Sequence, residues 1–265
     1  LSRGLGDVYK RQFGERPHIL LDIGGGSTEL ILADSRDARA LTSTRVGAVR
    51  LQRDFIKEEP LSPQRRSFLQ AFIQGSLEPA VDKVLRRIKS GEKPVLVATS
   101  GTAMAIGALA ASEDDRPPLK FHGYKVSRSR LDRVVERLVV MTPAQRREIS
   151  AINDRRAEII VPGALILQTT MKMLAVDGLV LSERALREGL IVDWMLRQGL
   201  LEDRFSFQSS IRQRTVIHQV QRFAVNQQRA EKVASHALTL YDTTKGVIHQ
   251  DDGEGRELVW PASNL

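Results

Sequence analysis

The run Asp22-Ile23-Gly24-Gly25-Gly26-Ser27-Thr28-Glu29 sits between two short segments that read as strands. His18–Asp22 is an apolar run ending on a carboxylate. Thr28–Ala33 alternates, with Thr28, Leu30 and Leu32 on one face and Glu29, Ile31 and Ala33 on the other. A strand, a glycine turn and a strand open a meander, not a strand–helix–strand unit. A two-residue hairpin needs at most two glycines, so Asp, three Gly and Ser-Thr together exceed what a turn requires. Successive glycines leave the backbone uncovered, and its N–H groups can approach an anion closely. On this reading Gly24, Gly25 and Gly26 bind phosphate, with hydroxyl donors from Ser27 and Thr28. Asp22, where the first strand ends, is placed to hold a hydrated Mg²⁺. Glu29 is within reach of the same cleft. A carboxylate beside a phosphate site is repulsive unless a cation or a polarised water lies between, which is what a metal-assisted hydrolase requires.

Further along, Pro94–Ala98 reads as a strand entering Thr99-Ser100-Gly101-Thr102-Ala103, where a helix begins. Glycine again permits close approach, and a helix N-terminus offers free N–H groups to an anion. Ser/Gly/Thr before a helix is ordinary capping when it stands alone. Two such turns in one α/β domain, the first in a hairpin, form a more specific pattern. It is not a Walker loop, because no Gly-Lys-Ser/Thr follows. It is not a dinucleotide fingerprint, because the first glycines open a strand and not a helix.

The rest of the chain supplies a scaffold. Leu41–Val49 reads as a third strand. Ser62-Pro63 is a capping serine followed by proline at the first helical position. The helix it starts is expected to reach about Lys89, interrupted near Gly75 and Pro79, with Leu77, Val81, Val84, Leu85 and Ile88 as its buried stripe. Leu131, Val134, Val135, Leu138 and Val139 mark another helix, Thr142-Pro143 starts the next, and Ala157–Leu174 is a long apolar one. Gly178–Ser182 is a strand and Leu186–Gln198 a helix. Beyond a compositional shift at Leu201–Phe207 only helices are expected, Ser210–Val225 and Gln228–Tyr241, with a loop at 251–255. Residues 13–200 therefore read as one α/β domain and 205–265 as the beginning of an all-helical one.

Both ends look truncated. Asp7-Val8-Tyr9-Lys10-Arg11-Gln12 reads as a translated sequencing adaptor, so residues 1–12 are set aside as an artefact. The chain has 265 residues, no cysteine and a formal charge of +8. That excludes disulfides, cysteine–zinc sites and a cysteine nucleophile, and it suits a reducing, cytoplasmic setting. No apolar run approaches the roughly 18 residues of a membrane span. The basic excess favours a polyanionic partner, although the arginines fall in short pairs typical of solvated helix faces.

The chain resembles the exopolyphosphatase/guanosine pentaphosphate phosphohydrolase family from about Pro17 onward. The resemblance rests on Leu21–Glu29, Val46–Leu51, Ala98–Thr102, Arg156–Ala164 and Ala185–Gly189, in that order. It implies an actin-like ATPase (RNase H-like) half-domain, a mixed sheet with helices, followed by part of an HD-like helical domain. It implies Mg²⁺, and inorganic polyphosphate or pppGpp as the substrate of a phosphoanhydride hydrolase that releases terminal orthophosphate. Asp22 and Gly24 would hold metal and phosphates, Glu29 would order the metal or activate water, and Gly101 and Thr102 would line the far side of the phosphate channel. Catalysis is thus expected of Glu29 and Asp22, which are also the expected metal ligands. The family's first half-domain should precede Pro17, so the fragment alone is expected to be inactive. The full-length protein is expected to be a homodimer, with no membrane or specific nucleic-acid partner. In Arg229-Ala230-Glu231-Lys232-Val233-Ala234 an arginine stands where a metal-binding HD protein would carry histidine, so no second metal site is expected.

Several residues read as structural: His236 on an apolar helix face, Arg156 and Glu158 as an intrahelical pair, Arg187 and Glu188 as helix packing. Arg50 reads equally as a phosphate contact or an edge-strand charge. Two competing functions remain at this point. An actin-like ATPase or sugar kinase would need an adenine pocket, and Ala103–Ala111 is mostly small and apolar. A basic nucleic-acid or stringent-response binding module would leave the Asp22/Glu29 pair without a purpose.

Overall fold

The computed structural model describes residues 16–34, 38–185 and 226–249, with positions 191, 194, 195, 259, 262 and 263 besides. The chain divides into two compact units, Leu1–Arg197 and Gln198–Leu265.

In the first unit the described strands are β1 (His18–Ile23), β2 (Thr28–Ala33), β3 (Ala38–Thr44), β4 (Val95–Thr99), β5 (Lys125–Ser127) and β6 (Gly178–Leu181). They form one sheet in the order β3-β2-β1-β4-β6-β5. The pairings β1–β4 and β4–β6 are parallel, and the others are antiparallel. Its described helices are α1 (Ala48–Phe55), α2 (Pro63–Leu85), α3 (Gly101–Ala111), α4 (Arg128–Val139), α5 (Pro143–Arg147) and α6 (Asp154–Met173).

Alternation along the strands sorts the core. Ile19, Leu21, Leu30, Leu32, Leu96 and Ala98 face one way and merge with apolar residues of α2, α3, α4 and α6 into one cluster. Leu20, Ile31, Ala33 and Val97 face the other way and form a smaller buried group. Thr28–Ala33 is therefore buried on both sides, with Glu29 alone half-buried. A strand in the middle of a sheet covered on both faces loses the polar half of its pattern.

Three expectations need correction. The third strand does not run through Leu41–Val49. It stops at Thr44, and a helix starts at Ala48. The cause is tertiary: Thr28 Oγ1 donates to the Val46 carbonyl at 2.5 Å, and the first amides of α1 are taken by the glycine loop. The helix from Pro63 is not interrupted at Gly75 or Pro79 but continuous to Leu85. Pro79 lacks the N–H that would reach the Gly75 carbonyl, yet both residues are exposed, so water can satisfy that oxygen. Burial of Leu69, Ile73, Leu77, Val81 and Val84 outweighs the cost. Leu85, assigned to the buried stripe, is 39% exposed. The short edge strand β5 carries one apolar residue, Val126, and so has no periodic signal to read.

In the second unit α7 (Gln227–Thr243) is capped by Asn226, whose side chain accepts from the Arg229 amide at 3.1 Å. The turn after it is closed by the Gly246 amide donating to the His249 carbonyl and by Tyr241 stacked on the His249 ring. His236 is exposed on α7 and is not packed on an apolar face as expected. The helix expected at Ser210–Val225, most of the one at Leu186–Gln198, Arg187 and Glu188, and the 251–255 loop lie outside the described residues. Among the described residues no helix is long and apolar enough to cross a membrane.

Candidate active site

β1 and β4 run parallel and side by side, so the loops that leave their carboxyl ends emerge at one edge of the sheet. In open α/β sheets that edge, beyond the ends of parallel strands, is where ligands bind. One loop here is Gly24–Ser27 and the other is Ser100–Thr102.

Register brings four polar residues into a row across that edge. Asp22 pairs with Glu29 on β2 and with Thr99 on β4, and Glu29 pairs with Ser43 on β3. Cross-strand partners share a face, so Asp22 and Glu29 present their carboxylates together. Glu29 Oε1 accepts from Ser27 Oγ and from Ser43 Oγ, each at 2.7 Å. Its other oxygen is left without a partner among the described residues. Asp22 is paired with no cationic side chain among them. Burial, and secondarily the neighbouring Glu29, push the Asp22 carboxyl above the ordinary aspartate range. Two adjacent carboxylates, one of them poorly solvated and unpaired, favour a cation between them.

The glycine loop is oriented by its carbonyls. Gly24 O accepts from Ala48 N and Gly25 O from Arg50 N, both at 3.0 Å. In a trans peptide the carbonyl of one residue and the N–H of the next point in opposite directions. The amides of Gly25 and Gly26 therefore point away from α1. Neither they nor the Ser27 amide has an acceptor among the described residues, while Gly24 N is used within the loop, donating to Ser27 O at 2.8 Å. Gly47 makes the anchoring possible: a Cβ there would lie 2.5 Å from Gly25 C and O and from Gly26 C. Gly25 and Gly26 are exposed.

The second loop is strained. Ser100 has φ 111 and ψ 159, a region populated essentially by glycine. Its hydroxyl caps α3 by accepting from Ala103 N at 3.2 Å, and its carbonyl accepts from Met104 N at 3.0 Å. The Gly101 and Thr102 amides at the same helix end have no acceptor among the described residues.

Of the expected site residues, Asp22, Gly24, Gly25, Gly26, Ser27, Glu29 and Gly101 come together at this edge. The hydroxyls of Ser27 and Thr28, expected as donors to phosphate, are both committed elsewhere, and Thr102 is turned inward. Thr28 is buried and its hydroxyl is committed to Val46 O. Thr102 is 6% exposed and its side chain packs into the notch left by Gly163 on α6. Ser27 donates its hydroxyl proton to Glu29. What these three residues can offer an anion is main chain or lone pairs. Arg50 is helical, with an i,i+4 contact to Asp54 at 3.8 Å.

Arg156 was misread. Glu158 pairs with Arg147 at 3.2 Å and not with Arg156. The Arg156 guanidinium instead lies over Gly101: a Cβ on that glycine would meet Arg156 Nη2 at 2.7 Å and Nε at 3.0 Å. It has no carboxylate partner among the described residues, and it is half-buried beside two unused helix amides. Nothing in the sequence pairs Arg156 with the Ser-Gly-Thr turn, and only the packing of α6 on α3 brings the two together.

The chain is similar to several known proteins. A family model described as the Ppx/GppA phosphatase family matches residues 3–198. The guanosine-5'-triphosphate,3'-diphosphate pyrophosphatase of Vibrio vulnificus is 29% identical over 256 residues, which cover 95% of this chain and 47% of that protein. Exopolyphosphatase 1 of Mycobacterium leprae is 31% identical over 220 residues, covering 81% of this chain and 61% of that protein. The crystal structure of the Aquifex aeolicus member of the Ppx/GppA family superposes with a TM-score of 0.62 at 26% identity, over 74% of this chain and 61% of that one. The mixed sheet with its helices is thus the actin-like fold that the resemblance implied. The chain spans about half the length of the Vibrio relative.

Proposed function

From the premise that this chain belongs to the Ppx/GppA phosphatase family, we propose that the whole protein hydrolyses the terminal phosphoanhydride of inorganic polyphosphate or pppGpp. The observation that carries the reading is the meeting of unused main-chain donors, from Gly25 to Ser27 and at Gly101 and Thr102, with the Asp22/Glu29 carboxylate pair at one sheet edge. Amides in fixed orientation neutralise phosphate charge without reorganising during the reaction.

The residues present fit a divalent cation of the magnesium type. Among the described residues no cluster of three or more His, Asp or Glu could hold a metal ion. Mg²⁺ is commonly held by one or two carboxylates with substrate phosphates completing its shell, and Asp22 and Glu29 are such a pair. When bound, the ion would supply charge neutralisation on the phosphate oxygens. The chain's own groups do the rest. Glu29, with Oε1 locked by two serine hydroxyls, presents its second oxygen in a fixed place to orient a water or the cation shell. Gly25–Ser27 cradle one phosphate, and Gly101 with the unpaired Arg156 another. In the overall reaction a water oxygen bonds to the terminal phosphorus, the bridging P–O bond breaks, and orthophosphate and a chain shorter by one phosphate result.

An adenine-binding alternative finds no support in α3. Ala103, Ala105, Ile106 and Ala110 are 0–2% exposed and belong to the core, so they are not open to a base. Residues 13–200 would act as the second of two half-domains, with 205–265 beginning a helical HD-like domain, in a cytoplasmic homodimer. The test is orthophosphate release by the full-length protein from long polyphosphate, pppGpp and ATP with Mg²⁺, alongside Glu29→Gln. Release from polyphosphate or pppGpp that is lost in Glu29→Gln supports the reading. Release from ATP alone, or none that depends on Glu29, overturns it.

A further inference from the structure

Beyond its internal Gly24 N–Ser27 O bond, the glycine loop is held from outside. Its carbonyls are held by α1, a helix of eight residues, so whatever holds α1 also sets the direction of the loop amides. Gln52 lies one turn after Ala48, on the same side of α1. Its Nε2 donates to Glu59 Oε2 at 3.3 Å, and the other oxygen of Glu59 accepts from Arg146 Nη2 on α5. Arg146 is fully buried and the Glu59 side chain is 8% exposed. Among the described residues Arg146 Nε and Nη1 and Gln52 Oε1 make no hydrogen bond, and Glu59 is the carboxylate there that pairs with the arginine.

A buried ion pair is weak evidence for stability, since apolar residues of the same volume often do as well or better. Its advantage is directional: two charged hydrogen bonds define one position for the groups that make them. Here those groups end on the turn of α1 that follows the amides bound to Gly24 and Gly25. Gly47 transmits any displacement directly, because its backbone packs on the backbone of Gly25 and Gly26 with no side chain between.

We propose that Arg146 is a positioning residue for the glycine loop, acting through Glu59, Gln52 and α1. The functional part of this proposal rests on the reading of that loop as a phosphate site. Arg146 touches no loop residue. It fixes the rotation of the Gly24–Gly25 and Gly25–Gly26 peptide planes and so the aim of their N–H groups.

The test separates aim from stability. In this chain, Arg146→Met strands the Glu59 carboxylate, while the double variant Glu59→Met/Arg146→Met removes both charges. Amide hydrogen exchange is followed at Ala48 and Arg50, and at Leu20 and Leu96 in the sheet. Binding of inorganic tripolyphosphate with Mg²⁺ is measured by calorimetry on the same samples. In the double variant we expect the sheet amides to exchange within threefold of the parent, and Ala48 and Arg50 at least tenfold faster, with a matching loss of tripolyphosphate affinity. Gln52→Met, which strands no charge, gives the same contrast if either of the others fails to fold. Ala48 and Arg50 as protected as in the parent, or changed by the same factor as the sheet, would overturn the proposal. Parent chain that exchanges as expected but does not bind Mg²⁺-tripolyphosphate would overturn the phosphate reading of the loop and, with it, the functional role of Arg146, while the exchange data still decide the mechanical coupling.

Discussion

Asp22 and Glu29 face each other directly across β1 and β2 with no cationic side chain paired to Asp22 among the described residues. The row they belong to runs on to Thr99 and Ser43, so two carboxylates and two hydroxyls are aligned across four strands. A protein selected for stability alone has no use for a half-buried, unpaired aspartate beside a glutamate. The arrangement is explicable by a ligand that neutralises it.

That gives a first prediction. Asp22→Asn should stabilise the free chain at neutral pH by about 0.5–2 kcal/mol, the usual gain when a strained functional group is removed. The sign of the pH dependence follows from the raised carboxyl. Between the unfolded aspartate value, about 3.9, and the higher folded value, the native state holds the proton more tightly. Stability from this group is full at the low end and is lost as pH rises through that window. Urea unfolding against pH should show this decline in the parent and not in Asp22→Asn. Mg²⁺ should restore stability at neutral pH in the parent only. A variant less stable than the parent at pH 7 would count against the reading.

Gly47→Ala should be costly for a specific reason. The added methyl meets loop backbone at 2.5 Å, which cannot swing aside as a side chain would. The expected loss is about 1–3 kcal/mol, as for other overpacking substitutions, seen as a lower urea midpoint with unchanged slope. Tripolyphosphate binding should fall with it. Gly26→Ala, which meets nothing within 4 Å, serves as the control and should leave the midpoint almost unchanged.

Ser100→Gly should go the other way. A serine at φ 111 and ψ 159 carries strain on the order of 1–3 kcal/mol. Glycine relieves it, loses a cap worth only a few tenths relative to serine, and adds unfolded-state entropy of about 0.4–1 kcal/mol. The net expectation is stabilisation by about 1 kcal/mol in urea unfolding, with weaker tripolyphosphate binding if the strain serves to hold the turn in its binding form. Ser100→Ala, which keeps the strain and loses the cap, should destabilise.

Arg156→Gln should change binding and leave folding alone. The guanidinium has no carboxylate to strand among the described residues, so the unfolding free energy should stay within about 0.5 kcal/mol of the parent. A hydrogen bond to a charged ligand is worth about 1.5–3 kcal/mol, so Mg²⁺-tripolyphosphate affinity should fall by about tenfold or more, measured by calorimetry. Unchanged affinity would remove Arg156 from the site.

Sequence alone determined the parts that depend on local chemistry. Three glycines after Asp22 and a Ser-Gly-Thr turn after an apolar strand declare backbone exposed to an anion, whatever surrounds them. Ser62-Pro63 and Thr142-Pro143 declare helix starts, and the apolar spacing of α4 declares its buried face. Tertiary structure decided where a group's partner lies far along the chain. Ala48 and Val49, the end of the expected third strand, turned to helix because the Gly24 and Gly25 carbonyls accept the Ala48 and Arg50 amides. Thr28 and Thr102 turned away from the edge because Val46 O and the notch at Gly163 claim them. Arg156 lies over Gly101 and not in an intrahelical pair because α6 packs on α3 and Glu158 pairs with Arg147. Local propensity covers a few residues of chain, whereas a hydrogen bond or a close backbone approach goes to whichever group the fold brings near, and only the packed sheet and helices specify which group that is.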